Sequence, residues 1–597
     1  MTDASTDISH HVWATKYRLE GEADIAATWQ RIAQALAAAE PRDQSTWERR
    51  FHGLLTDFKF LPGGRIQAGA GTSRAVTLYN CFVMGPIEDS IPGIFRSLQD
   101  SAVTMQQGGG IGLDFSTLRP LGTPARTTGT IASGPVSFME VWDTTCATIL
   151  ATGSRRGAMM ASLRCDHPDI ALFADAKRQP GRLTHFNLSV QVTDAFMEAV
   201  RADADWPLVF PEEALAGAGE TVLREWPGGA PGPRPCRIVR RIGARDLWDR
   251  ILRSAYDCAE PGVLFIDRIN RLNNLWYCER ISATNPCGEV PLPPFGACDL
   301  GSVNLTRFVT APFTPEAHID FDTLGETVDL AVRLLDNVID ISRFPLAEQA
   351  RVARASRRIG LGITGLADAL VMLGLRYGEP ASLDLAGDVM RRICHRAYRA
   401  SSALAREKGA FPLFDRDRFL AGAFAATLPD DVRDAIARDG LRNSHLLAIA
   451  PTGSISLLAG NISSGLEPIF ADAYERNVLG PDGETIRFPL VDYALRLWRE
   501  SGRTGTPPAF VTATDLAPRA QIEMQATLQA YVDNAISKTV TLGRDCGFEA
   551  FRDIYDLAYD RGLKGCTAFR PNPVTGEVLS AVAAPGAHCC TPEREPD

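Results

Sequence analysis

The sequence predicts an α/β protein, and three observations carry that reading. Short apolar runs of strand length, at 82–84, 111–115, 188–192, 263–266 and 446–450, are each bounded by glycine or proline. Segments with helical periodicity lie among them at 136–150, 244–258, 323–343, 383–408 and 520–539, the alternation expected of strands covered by helices. The chain has 597 residues, 45% hydrophobic and 22% charged, which is globular composition and length for about three or four average domains or one large barrel with attachments.

In chain order, residues 23–50 are alanine-rich with helical periodicity, predicting an N-terminal helical cap over residues 1–60. Leu61-Pro62-Gly63-Gly64-Arg65 and the glycines up to Gly71 interrupt any regular element. The main body runs from 61 to 570, with a Gly/Pro-rich surface excursion at 226–235. From Arg570 the chain is rich in Pro, Ala and Gly without periodicity, predicting a flexible tail over 571–597.

Several function classes are excluded as expectations. A net charge of -10 gives no field that attracts nucleic acid, so any phosphate must be held locally. The first thirty residues carry no apolar signal core and no basic leader, and no run of eighteen apolar residues occurs, so neither secretion nor a membrane span is expected. Thirteen cysteines without a secretory signal predict buried or redox-active thiols in a reducing cytoplasm. None has zinc spacing, so no metal held by protein side chains is expected.

The richest chemistry lies in Ser282-Ala-Thr-Asn-Pro-Cys-Gly-Glu-Val, with Cys298 eleven residues beyond Cys287. Asn285, Cys287 and Glu289 alternate, so an extended segment turns them to one side. A straight strand spreads Asn285 and Glu289 about 13 Å apart, wider than a sugar ring. Pro286 and Gly288 let the segment curl and bring an amide, a thiol and a carboxylate together. Hydrogen bonding, sulfur chemistry and a general base would then share one small site. A Pro/Gly turn with a buried, inert cysteine is the other reading of those five residues alone.

The wider pattern separates the two. NPCGE with ACDLGSVNL resembles the finger loop of ribonucleotide reductases. LPGGR, NCFV, GGGIGLDFSTLRPLG, RRIGLGITGLADAL, APTGSIS, SSGLEPIF, DNAISKT and GLKGCTAFR follow in the family's order, from about residue 12 to 570. The resemblance implies a ten-stranded α/β barrel of two five-stranded halves around a central finger loop. It implies that Cys287 becomes the thiyl radical taking the ribose 3′ hydrogen, that Glu289 is the general base, and that Asn285 hydrogen-bonds the substrate. Cys81 and Cys298 would be the pair that supplies two electrons and ends as a disulfide.

Pro451-Thr452-Gly453-Ser454-Ile455 follows an apolar run, as a phosphate-cradling turn at a helix start does. Most such Thr-Gly-Ser stretches are plain turns; the resemblance implies that this one holds the substrate's phosphates, with Asn80 and Gly110 beside it. GGGIG at 108–112 lacks the GxGxxG spacing of a dinucleotide loop. The family binds a deoxynucleotide or ATP effector at a homodimer interface, which falls within about 85–190 here. Asp89, Arg119 and Arg126 match effector contacts, and 176–185 matches the segment relaying effector identity. No further nucleotide-binding domain precedes the cap, so control of overall activity is not expected. Cys589 and Cys590 in the tail match the dithiol that re-reduces the active-site disulfide and is served by a thioredoxin- or glutaredoxin-type reductant. They are adjacent, unlike the family's spaced pair, and Cα atoms ~3.8 Å apart make a disulfide between them strained.

The radical source follows by comparison within the family. Where partner-dependent enzymes carry two adjacent relay tyrosines, this chain has Thr567 and Ala568, and neither Gly576 nor Gly586 lies in a glycyl-radical segment. The remaining class uses adenosylcobalamin. No Asp-x-His-x-x-Gly segment offers a histidine to its cobalt. A class I-like large subunit needing a partner, and a non-catalytic nucleotide-binding paralogue, are the alternatives. The full set of cysteines with Asn285 and Glu289 opposes the paralogue.

Overall fold

The computed structural model describes residues 4–124, 131–149, 157–229, 232–479, 485–571 and 580–581. The N-terminal region is α1 (Ala4–Val12), α2 (Ile25–Ala37) and α3 (Gln44–Leu55). The Asp24 carboxylate caps α2 by accepting the Ala27 amide at 3.0 Å. The periodicity over 23–50 is therefore two helices, parted by the turn at Glu40-Pro41, where proline forbids an intrahelical bond. Glu40, buried, accepts Arg333 Nε at 2.7 Å, Asn337 Nδ2 at 2.8 Å and Lys408 Nζ at 3.1 Å. Those residues belong to α4 (Phe321–Ile341) and α5 (Pro380–Lys408), so one carboxylate ties the helical region to the body.

The body is a ring of strands. β1 (Cys81–Val83), β2 (Gly110–Asp114), β3 (Met159–Arg164), β4 (Phe186–Val192) and β5 (Gly262–Phe265) are parallel neighbours in that order. β6 (Ala297–Asn304) pairs parallel with β7 (Ile359–Thr364). Parallel bridges Leu361↔Leu447 and Ile449↔Ile536 continue this second half, and residues 534–538 run into β8 (Thr539–Thr541), parallel to β9 (Gly565–Phe569). The halves meet antiparallel at both seams, β1 against β6 and β5 against β9. The ring is thus the ten-stranded barrel of two five-stranded halves. Strands such as β2, β3 and β6 are buried at every residue, so polar residues within them, such as Asp299 and Asn304 in β6, lie in the interior rather than alternating toward solvent.

Three local expectations are corrected. The helix expected over 520–539 ends at Gln529. Beyond it Asp533 accepts the Leu446 and Leu447 amides at 2.8 Å each, and the buried Lys564 donates to the Asp533 carbonyl at 2.6 Å, so tertiary bonds make this stretch a barrel strand. The excursion at 226–235 begins with a buried tryptophan, Trp226, and from Pro233 it enters an antiparallel sheet of Asp205–Pro211, Thr221–Glu225 and Pro233–Gly243. The interruption at 61–71 contains a short strand, Phe60–Pro62, and a helix, Gly64–Gly69. The expected tail lies outside the described residues except for Pro571 and for Ser580–Ala581, which pair with the strand at Tyr474 and Glu475. Among the described residues no helix is long and apolar enough to cross a membrane.

Candidate active site

The loop between β5 and β6 enters the ring as a narrow hairpin, with Ala283 opposite Leu292 and Thr284 opposite Pro291. Its tip closes through Gly288 N donating to the Asn285 carbonyl at 3.1 Å and Val290 N donating to Asn285 Oδ1 at 3.0 Å. Gly288 supplies the positive φ of 85° that this curl needs. The hairpin lies directly on β2. A Cβ at Gly110 would meet Pro286 Cγ at 3.1 Å, and one at Gly112 would meet the Thr284 carbonyl oxygen at 1.8 Å. Gly112→Ala must therefore push the loop out of register. We expect turnover to fall about 10²-fold, as for a reacting group displaced by about 1 Å, with Tm and steady-state rate as the measurements.

The loop's three side chains divide between two environments. Asn285 and Glu289 are 1% exposed and turn to Cys81. Asn285 Nδ2 donates to Cys81 Sγ at 3.1 Å, and Cys81 Sγ donates to Glu289 Oε1 at 3.7 Å. Cys287 is half-buried and lines a cavity of about 650 Å³ with Met160, Asn187, Pro451 and Ile536, a volume that suits a small-molecule site. Period two aligned the three on one side, but the curl turns the outer pair against the barrel wall.

Cys81 and Cys298 sit directly opposite each other across the β1–β6 seam. Facing residues of antiparallel strands have Cα atoms about 4.5–5.5 Å apart, within disulfide reach. Burial pushes the Cys81 thiol well up, and the neighbouring Glu289 carboxyl, when ionised, raises it further. Cys298 is raised by burial and then by Asp299. Both thiols are therefore protonated at neutral pH. Burial lifts Glu289 to about 7, against the lowering effect of its bonds to Asn285 and Cys81. Its Oε2 is buried without a hydrogen-bond partner, so the carboxyl has an acceptor in reserve for a substrate hydroxyl.

Asn80 is buried, and its carbonyl accepts the Gly110 amide at 2.8 Å. Gly63 of LPGGR lets Asn80 approach, because a Cβ there would meet Asn80 Oδ1 at 3.1 Å. Residues 451–455 open the short helix α6 (Gly453–Leu458). The Thr452 hydroxyl lies 2.7 Å from Thr364 Oγ1 and 2.6 Å from Ser456 Oγ, and accepts Gly465 N at 3.1 Å. These hydroxyls brace the turn, and its first-turn amides are the groups suited to an anion. Pro451 borders the Cys287 cavity. Sequence reasoning missed Lys16, whose Nζ donates to Ser454 Oγ at 2.6 Å; only the folded position of the N-terminal region reveals it.

Asp89 and Arg119 form an ion pair, Arg119 Nε to Asp89 Oδ2 at 2.7 Å, each side chain about a quarter exposed at 23% and 24%. Arg126 lies outside the described residues, as do Cys589 and Cys590. In the segment 176–185, Lys177 pairs with Glu260 at 2.7 Å and Arg182 bonds Glu140 at 2.9 Å.

The family model for the ribonucleotide reductase barrel domain matches residues 79–569, and that for the ribonucleotide reductase all-alpha domain matches 4–75. A vitamin B12-dependent ribonucleoside-diphosphate reductase of Mycobacterium tuberculosis is 39% identical over 578 residues, 93% of this chain and 77% of the relative. One of Thermoplasma acidophilum is 37% identical over 556 residues, 90% and 66% of the two chains. The ribonucleoside-diphosphate reductase subunit alpha of Chlamydia pneumoniae is 25% identical over 602 residues, 92% and 57% of the two.

Proposed function

Because the chain belongs to the ribonucleotide reductase family, we propose that it reduces ribonucleoside diphosphates with adenosylcobalamin as its radical source. The observation that carries the reading is the cluster of Cys81, Asn285, Glu289 and Cys298 packed behind the cavity that Cys287 lines. The names of the two B12-dependent relatives support cobalamin and a diphosphate substrate.

One side of the cavity wall would face the adenosyl end of such a cofactor. Gly262, Gly565, Thr567 and Ala568 border it with small side chains, and Ser537 and Thr539 add hydroxyls. Adenosylcobalamin held along that wall would supply the organic radical needed to take the hydrogen of the Cys287 thiol. Every later step belongs to the chain. The Cys287 sulfur removes the 3′ hydrogen of the ribose, and Glu289 accepts the 3′-hydroxyl proton. The 2′-hydroxyl leaves as water, Cys81 and Cys298 deliver two electrons and two protons as they become a disulfide, Glu289 gives the 3′-hydroxyl its proton back, and Cys287 returns its hydrogen to the 3′ carbon. Asn285 orients the substrate hydroxyls, residues 451–455 take its phosphates, and Asn80 and Gly110 line its pocket. Burial keeps water and stray reductants from the sulfur radical.

The division into cap (1–60), barrel (61–570) and tail (571–597) belongs to the same reading. So does re-reduction of the disulfide through Cys589 and Cys590 and a thioredoxin- or glutaredoxin-type protein in the cytoplasm. Asp89, Arg119 and Arg126 would hold the effector at a homodimer interface. Ile91 and Phe95, 58% and 51% exposed at the start of helix Ile91–Gln106 just beyond Asp89, supply apolar surface for that contact.

Anaerobic assay of the purified chain with CDP and dithiothreitol tests the reading. Deoxycytidine diphosphate should form only when adenosylcobalamin is added; equal turnover without it overturns the cofactor assignment. The pre-reduced chain without external dithiol should give a stoichiometric burst of product, and Cys298→Ser should give none, by rapid quench.

A further inference from the structure

The strands of the first half-barrel begin at the Cys287 cavity, where Met160, Asn187 and Gly262 line it. Their carboxyl ends frame a second and larger cavity, of about 1000 Å³, at the opposite end of the ring. Val83, Asp114 and Arg164 end β1, β2 and β3 there, and Gln191 lies one residue from the end of β4. The carboxyl ends of parallel strands are where α/β folds most often place ligands. Residues 280–282 and 293–294, the two legs of the finger loop, form another wall, and Gln191 Nε2 donates to the Ser282 carbonyl at 2.7 Å.

The floor carries a polar group without a partner. Asp114 is 8% exposed; its Oδ1 accepts the Ser116 amide at 3.0 Å, and its Oδ2, fully buried, has no hydrogen-bond partner. Native interiors rarely leave such an atom unmatched. Burial raises this carboxyl, against the lowering effect of its bonds to Ser116 and Gln191 and of the Arg164 charge. Beside it Arg164, held by Asp166 through two bonds of 2.8 Å, lies over the Trp226 ring at 4.8 Å. Trp276 is 47% exposed although it borders this cavity with Tyr277, and Arg351 stands exposed at the rim.

An aromatic wall, a buried carboxyl and a rim guanidinium together match a planar base with an amino edge carrying an anionic group. We propose that this cavity is a nucleotide site, taking an adenine nucleotide with its amino edge on Asp114, its ring on the aromatic wall and its phosphates at Arg351. A ligand here touches both legs of the loop that holds Cys287 and can bias that loop's position from outside the catalytic chamber. The site stands apart from the catalytic roles proposed above.

Equilibrium dialysis of ATP against the full chain tests it, with a ribonucleotide substrate and a deoxynucleotide effector saturating their own sites. A further ATP should be retained, with deuterium exchange slowed at 226–228 and 276–282. Trp276→Ala or Arg351→Ala, both at exposed positions, should weaken retention about tenfold or more, and Asp114→Asn should do so with the fold confirmed by circular dichroism. No ATP retained under these conditions, retention indifferent to all three substitutions, or protection confined to other segments each overturns the proposal.

Discussion

Cys287→Ala should abolish ribonucleotide reduction while leaving nucleotide affinity within about twofold. The residue is half-buried at the tip of a hairpin whose shape is fixed by the Asn285, Gly288 and Val290 backbone and amide bonds. Removing one sulfur breaks none of these, so the hairpin keeps its shape. The chemistry, in contrast, has no substitute. Cys81 and Cys298 are more deeply buried, 3% and 0% exposed, and in the proposed scheme serve as the two-electron donors. The loss should be of the order of about 10⁶-fold, the scale seen when an enzyme's covalent reactant is deleted. Steady-state product formation measures the first part and equilibrium dialysis of CDP the second.

Glu289→Gln should lower kcat/KM by about 10²–10⁴-fold, the usual worth of a general base, and should change the pH profile. Burial holds the carboxyl at about 7. Only the ionised form can take the 3′-hydroxyl proton, so wild-type kcat/KM should fall roughly tenfold per pH unit below about 7 and level off above it. Raising the pH activates because it removes the proton that burial favours. The Gln variant cannot titrate, so this acidic limb should vanish in it. A wild-type profile flat from pH 5 to 8 contradicts the role given to Glu289.

The curl was legible in Pro286 and Gly288, whereas the chemistry expected at Cys287 came from the wider family resemblance, since the five residues alone also fit a plain turn. What the alternation could not show is that Asn285 turns to a cysteine 204 residues away in sequence. That contact depends on the antiparallel seam joining β1 to β6, a long-range pairing with no local signal. Gly112 reads as one more glycine in GGGIG, and its role appears only where the Thr284 carbonyl crosses it. Buried strands such as β2, β4 and β5 were visible as apolar runs, whereas β3 was not among them. Residues 534–538 were not, because their place is fixed by Asp533, Lys564 and the bridge to Ile449 rather than by propensity.

The most direct measurement is the isotope effect on kcat/KM with ribonucleotide deuterated at the 3′ carbon. A sulfur radical at Cys287 that takes this hydrogen should turn the labelled substrate over measurably more slowly in direct competition. Identical rates for labelled and unlabelled substrate, with the 3′ deuterium never exchanged, would contradict the claim that Cys287 begins the reaction there.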